Sequence, residues 1–572
     1  MNKRIRTYYL AVILLGLFCS SNSGLSQIQY NEAYREEAIH NQEYITLFTD
    51  RNMYAVNERI HFSSFYRKTG VSAKKPWSKV LYVELVTPTG SVIANGKFHH
   101  NELGSSGYLS IPADVLTGIY YLRSYTRWMR NFGARSYSYV SLTIINPYKQ
   151  DILTGGDESY GVEADLIRMN LPGVQCKTNK TSYSPGEEVQ LELSHTVSGN
   201  RLPGEYCITV AHAGLCDTLN AHIVIADTDS DKDFRFNYLP DIRGLSISGS
   251  LVNTEDQSPV PQTRIHISSL GEQTDYFGTL TDDLGRFIVT LPERNGIVEL
   301  FVAFEPLADI KGEIRIDQDF SSGPVPFRTK QFTPSPDDRE LASRIVFNMQ
   351  LSKTFKSEEA SSASETETDS IPFYGKSKTT VILEEFVKLP TTVEVFVNLV
   401  PDIFVNYRRG VPYLNIESLS LKSISQFQPL ILIDHIPVFD QKDLFSIDPS
   451  KIERIEVIYD VYMKGGLMYG GIIDISSKQG DMAAVNLPEG SYFFDYQGFH
   501  PENSFPTYYA SERIPDTRNT QLWIDKISLD SDEKKAVQFP ASSSPGEYHI
   551  LVRGVSSGGE IVYGVSTFKV EQ

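Results

Sequence analysis

The chain is poor in cysteine and tryptophan, with four and three of them in 572 residues. Four cysteines cannot staple a chain of this length, so apolar cores must hold it together. It has no surplus of basic charge. Its 53 Lys and Arg stand against 71 Asp and Glu, a net of −18, which argues against DNA, RNA or an anionic membrane as partner. It has no long apolar run: beyond the first 26 residues no segment could span a bilayer as a helix. It also lacks the H-E-x-x-H signature of zinc hydrolases. What it does have is aromatic residues that favour strands, 32 Tyr and 30 Phe. Its length is too great for one core and implies three to five domains.

Residues 1–26 read as an export signal. Lys3, Arg4 and Arg6 precede an apolar run from Tyr8 to Phe18, and the small residues Gly24 and Ser26 suit cleavage before Gln27. Cleavage there would leave a chain of net charge −21, since only basic charges are removed. A lipid anchor on Cys19 is the alternative, although bulky Phe18 stands where a small residue is wanted. Export brings Cys176, Cys207 and Cys216 into oxidising surroundings. Two arrangements stay open: one disulfide, with Cys207 and Cys216 on neighbouring strands, or three buried thiols.

A repeat lies early in the chain. Thr49–Phe62, "TDRNMYAVNERIHF", aligns with Thr178–Leu191, "TNKTSYSPGEEVQL". In both, a strand ends at Thr, a turn and a Tyr follow, and a second turn opens the next strand. Pro185-Gly186 marks that turn in one copy and Val56-Asn57 in the other. Period-two segments such as "VLYVELV" surround them, as in antiparallel sandwiches. These copies resemble macroglobulin-type domains, expected at 27–150 and 168–240. "YTRWMRNFG", Tyr125 to Gly133, resembles the end of the first such domain in a group of Bacteroidetes envelope proteins. The strand, proline, strand, "TDDLGRF" order within 241–320 resembles a carboxypeptidase-regulatory-like sandwich. There Asp283 and Gly285 are expected to form a tight turn, and Phe287 to enter the core. Residues 352–378 contain "KSEEASSASETETDS", an acidic tract without large apolar residues, expected as a disordered linker.

Residues 379–482 contain a helix start at Thr391 and Glu394, with Val393, Phe396, Val397 and Val400 expected on one face. "PLILIDHIPVFD" follows. Then comes "IDPSKIERIEVI", with Asp448 as N-cap and Pro449 at the first helical position. Ile455, Val457 and Tyr459 share a strand face. "YGGIIDISSKQGD" closes the segment, with Ile473 and Ile475 aimed at a core. This stretch resembles the plug domain of TonB-dependent outer-membrane transporters. His435 departs from the pattern, which has Gly there, and the "RG" usual after "YLNIES" is missing. Only 91 residues follow Asp481, whereas a transporter barrel needs more than about 200. Residues 483–572, with "PGEY" and Trp523, are expected as a closing sandwich.

The fold class expected is therefore mainly β: a string of Ig-like or macroglobulin-type sandwiches plus a small α+β plug-like domain. No catalytic, cofactor or metal residues are expected. The Cys-Gly-Glu-Gln thioester run of true α2-macroglobulins is absent. His99-His100 would point to opposite strand faces. His212, His222 and Asp217 lack zinc spacing, and "DDLGRF" lacks the full calcium-loop spacing. Ser370 and Thr218 fall in Asp-Ser/Thr-apolar tripeptides that resemble Bacteroidetes O-glycosylation sites. The resemblance implies a non-enzymatic exported protein of the periplasm or outer membrane. Its partner would be an outer-membrane barrel or another envelope protein, and its membrane association would be indirect. Candidate partner-binding residues are Leu430, Ile431, Leu432, Ile433 and Asp434, with Tyr469, Gly470 and Gly471. The alternatives are a surface adhesin or glycan-binding protein displaying Trp128 and Trp523, and a macroglobulin-like protein that interacts with proteases.

Overall fold

A computed structural model describes residues 39, 41–67, 77–154, 173–195, 203–216, 234–325 (apart from 272, 308 and 309), 331–355, 372–416, 427–501 (apart from 465), 505, 516, 518–530 and 534–571. The expected signal, Cys19, and most of the acidic tract lie outside these residues. The chain is mainly β and divides into two units. One holds residues 30–245, 319–363 and 499–572; the other holds 246–318 and 364–498.

The first unit contains two sandwiches. In the first, strands Ile45–Thr49, Arg59–Tyr66 and Ser105–Ser110 form one antiparallel sheet. The facing sheet has the order 53–55, 138–145, 118–125, 80–86, 92–99. All of strand Val80–Val86 is buried, including Glu84. The carboxylate of Glu84 meets Arg123 Nε at 2.8 Å and accepts from the Tyr125 hydroxyl at 2.6 Å. Arg123 also donates to the carbonyl oxygens of Ser321 and Gly323. A charge without solvent needs such partners. Further buried charges hold the segments where the chain leaves and re-enters this unit: Arg127 faces Asp241 at 3.6 Å, and Lys97 pairs with Asp319.

The second sandwich is assembled from two distant stretches. Strands Gly204–His212 and Thr520–Leu529 pair antiparallel, and Gly204–His212 also pairs with Gly546–Ser556. In the opposite sheet Glu188–His195 lies between Val174–Thr178 and Lys535–Pro540. One core joins Val189, Leu191, Tyr206 and Ile208 to Phe539, Ile550, Val552 and Phe568. The sequence divides these stretches into separate domains at 168–240 and 483–572. The structure instead joins them, because each supplies strands with one apolar face and neither closes a core alone.

The repeat holds at atomic detail. In the first copy the Tyr54 hydroxyl donates to Asp50 and receives the Arg51 amide, Glu58 pairs with Arg51, and Glu58 accepts from the Ala55 amide. In the second, Tyr183 donates to Asn179 and receives the Lys180 amide, while Glu187 pairs with Lys180 and accepts from the Ser184 amide. The two turns use positive φ at matching places, 68° at Asn57 and 77° at Gly186.

The second unit contains a third sandwich and the α+β domain. The third sandwich sets Arg286–Thr290, Ser246–Asn253 and Gly312–Ile316 against Asp275–Leu280, Arg264–Ser269, Ile297–Phe304 and Tyr492–Gln497. Tyr492–Gln497 comes from the stretch expected as the closing sandwich, yet it pairs with Ile297–Phe304. Phe287 is buried, and Gly285 takes φ 70°. Asp282 rather than Asp283 organises the turn, accepting from the amides of Leu284 and Arg286. The α+β domain has a five-stranded sheet in the order 379–382, 452–458, 472–477, 430–433, 436–437. Ile473 and Ile475 are fully buried. Helix Thr392–Leu399 packs beside it, capped by Thr391, which accepts from the Glu394 amide. Of the expected face, Phe396 and Val400 are buried, but Val397 is 61% exposed, and Thr392 and Val395 take the remaining buried places.

Candidate interaction surface of the α+β domain

Leu430–Ile433 is an inner strand, parallel to Ile472–Ser477 and antiparallel to Ile436–Pro437. Both of its faces are covered. Ile431 and Ile433 enter the core with Phe396 and Ile455, while Leu430 and Leu432 pack with Tyr276 of the third sandwich. Cover on both faces accounts for the unbroken apolar run "LILI". Asp434 spends its carboxylate inside the domain, accepting from the Ser477 amide and hydroxyl and from the Met482 amide. Tyr469 is buried and shares a 2.7 Å hydrogen bond with the Tyr276 hydroxyl. The Gly470 amide donates to Gln428, and Gly471, at φ 109°, approaches the Ile458 carbonyl so closely that a Cβ would lie 2.5 Å from it. These eight candidates are core and turn residues, and a docking partner could not reach the strand side chains without opening the sheet.

His435 sits where the pattern has Gly, at φ 66°. Its Nδ1 lies 2.8 Å from the buried Asp474 carboxylate, which also accepts from the Tyr374 hydroxyl. Burial alone would lower the imidazole pKa. The hydrogen bond and charge of Asp474 outweigh it and leave the pKa raised. The same turn is tied to the third sandwich, since the Ser268 hydroxyl donates to the His435 carbonyl.

The surface the sequence did not single out lies nearby. Among the described residues, Ile382, Phe386, Val387, Val397, Phe404, Tyr407 and Tyr413 are large apolar or aromatic side chains left exposed within residues 382–413. No other stretch of that length among the described residues carries as many. Val387 is 85% exposed. Leu383, Phe386, Val387 and Leu389 line a groove of about 610 Å³ against Val395 and Leu399 of the helix, with Lys388, Glu384 and Lys478 on its rim. The signal for it was the run "LEEFVKLP", four apolar residues in a segment that Pro390 ends before it can form a full buried element.

The other candidates resolve as follows. No group of three His, Cys, Asp or Glu suited to a metal occurs among the described residues. His100 is buried, and burial pushes its imidazole down to about 4. His99 stacks on Phe499. Trp128 and Trp523 are core residues, 2% and 6% exposed, so neither is displayed for a glycan. Cys176, Cys207 and Cys216 are free and buried, and no bond joins Cys207 to Cys216. Asp217, Thr218, His222 and Ser370 lie outside the described residues.

No protein-family model and no curated protein matches the chain. Among solved structures it is similar to a mutant Salmonella alpha-2-macroglobulin, at 10% identity over 93% of this chain and 39% of that one, with a TM-score of 0.23. A trypsin-activated alpha-2-macroglobulin from Escherichia coli aligns at 9% identity over 93% of this chain and 41% of that one, TM-score 0.22. A tetra-tandem repeat from the extending region of a large adhesion protein aligns at 8% identity over 93% of this chain and 100% of that one, TM-score 0.12. The chain spans about two-fifths of the length of these macroglobulins. Scores this low carry no argument, and the fold assignment rests on the strand order described above.

Proposed function

We propose that this is a non-enzymatic, exported envelope protein that binds another protein through its α+β domain. The observation that carries the reading is the concentration of exposed apolar side chains on residues 382–413, with Phe386 and Val387 lining one groove, since exposed apolar surface marks interaction sites. The plug resemblance of Thr379–Asp481 supports a seat at the periplasm or outer membrane, beside a barrel or another envelope protein. With the plug-like strand fully packed within its own unit, the domain acts as a presented surface on a β scaffold.

A photoreactive residue at Val387 in the full chain, crosslinked in intact cells, tests this. The expected result is one dominant outer-membrane adduct that disappears when Phe386 is changed to Ser. An identical adduct pattern from a photoreactive residue at Val565, exposed elsewhere on the chain, would overturn it.

A further inference from the structure

The hairpin of strands Ile403–Arg408 and Val411–Ile416 carries a surface of its own. Its inner face anchors it: Ile403, Leu414 and Ile416 are buried in the α+β core. Its outer face is built from the cross-strand pairs Phe404–Asn415, Asn406–Tyr413 and Arg408–Val411. Arg408 and Val411 are joined by a two-residue loop, Arg409-Gly410, with φ of 53° and 81°. Both central residues of such a loop need positive φ, which Asn-Gly supplies with least strain. An arginine there is held in a left-handed conformation that costs stability. Arg408 and Arg409 are exposed, and neither side chain takes a hydrogen bond or ion pair among the described residues. Tyr413, 39% exposed, shares the outer face with Arg408, whereas Tyr407, 63% exposed, pairs with Pro412 and lies on the other face of the hairpin.

We propose that this tip recognises an acidic segment of the protein partner, with Arg408 and Arg409 taking its carboxylates and Tyr413 packing beside them on the outer face. The inference rests on the binding function proposed above and names the chemistry of the partner. Two consecutive arginines suit carboxylates, which each planar guanidinium can engage through paired hydrogen bonds. A protein segment fits better than an anionic membrane for two reasons. A planar anionic surface would confront a molecule of net charge −18, whereas a short acidic segment meets the tip locally, within a Debye length of roughly 8 Å. The outer face also carries Asn406 and Asn415 between its aromatics, and these amides would be left without partners in hydrocarbon.

The test uses the full chain with a fluorescein-labelled oligoglutamate peptide containing one tyrosine, and separately with phosphatidylglycerol vesicles. The wild type should bind the peptide, with affinity falling as salt rises. Arg409→Gly should weaken binding about tenfold, the loss of one charge-assisted contact, while raising the melting temperature because the turn is relaxed. Arg408→Gln should weaken binding without that gain. No peptide binding by the wild type, or binding by both variants as tight as the wild type's, overturns the proposal. So does vesicle binding that depends on the two arginines without peptide binding. The two readings separate experimentally. If the Val387 crosslink forms but the arginine variants bind the peptide normally, the binding function stands and this inference falls. If the crosslink never forms, the binding function itself falls.

Discussion

Glu84 and Arg123 are both fully buried and serve each other. Removing one leaves the other charged and dry. Glu84→Ala should therefore destabilise the first sandwich by about 3–5 kcal/mol, measured by denaturant unfolding. His435 makes a pH-dependent contribution. Its folded pKa is raised above the ordinary 6.5, so its stabilisation is complete below pH 6.5 and is lost as pH rises through the folded value. The difference in melting temperature between wild type and His435→Asn should shrink over that window, and a pH-independent difference would contradict the pair's role. The thiols behave oppositely to reactive cysteines. Burial pushes Cys176 up to about 12 and Cys207 up to about 11. Maleimide at neutral pH should leave both unlabelled in the native protein and label them on unfolding. Of these residues the sequence marked the cysteines as open between bond and thiol. Glu84 was invisible in it, because a lone Glu in an otherwise apolar strand does not name the distant Arg123 that meets it.

At the scale of elements, local signals were legible. The Thr391 cap, the Asp448 cap, the turn glycines and the alternating strands all form where the residues indicate. The repeated Tyr and Glu positions bind as equivalents. Pairing over long distance was not legible, since alternation fixes a strand's faces but not its neighbour. Half a sandwich therefore reads as a whole one. The helix face was only half legible, Phe396 and Val400 being buried and Val397 exposed, for a related reason. Val393, Phe396, Val397 and Val400 share a helical period, but only the cover actually available decides which of them is buried. The shared second sandwich has a direct test: deleting residues 516–572 should strip hydrogen-exchange protection from Glu188–His195 and Gly204–His212. Retained protection would mean that the N-terminal strands fold alone. The two copies of the repeat also differ where their surroundings differ. Met53 and Ala55 of the first pack with Leu215 and Ile345, while the matching Ser182 and Ser184 of the second are polar and partly or fully exposed.

For the whole molecule, two units with their own cores should not unfold as one. Calorimetry of the full chain should show more than one transition, with the ratio of van't Hoff to calorimetric enthalpy below unity. The candidate surface was legible only in outline: the sequence drew attention to the α+β domain, yet chose its most apolar strand, which burial had already claimed. The construction of the second sandwich bears on how the protein comes into being. Strand Gly204–His212 is made 308 residues before its partner strand begins at Thr520. At roughly 5–20 residues per second, that wait is about 15–60 s. Throughout it, the strands from Val174 to His212 have unpaired edges and a bare apolar face while the whole other unit is synthesised. Newly made chains of this protein are thus exposed to wrong pairing for much of their synthesis, and the demand for a holding factor falls on that interval rather than on the finished fold.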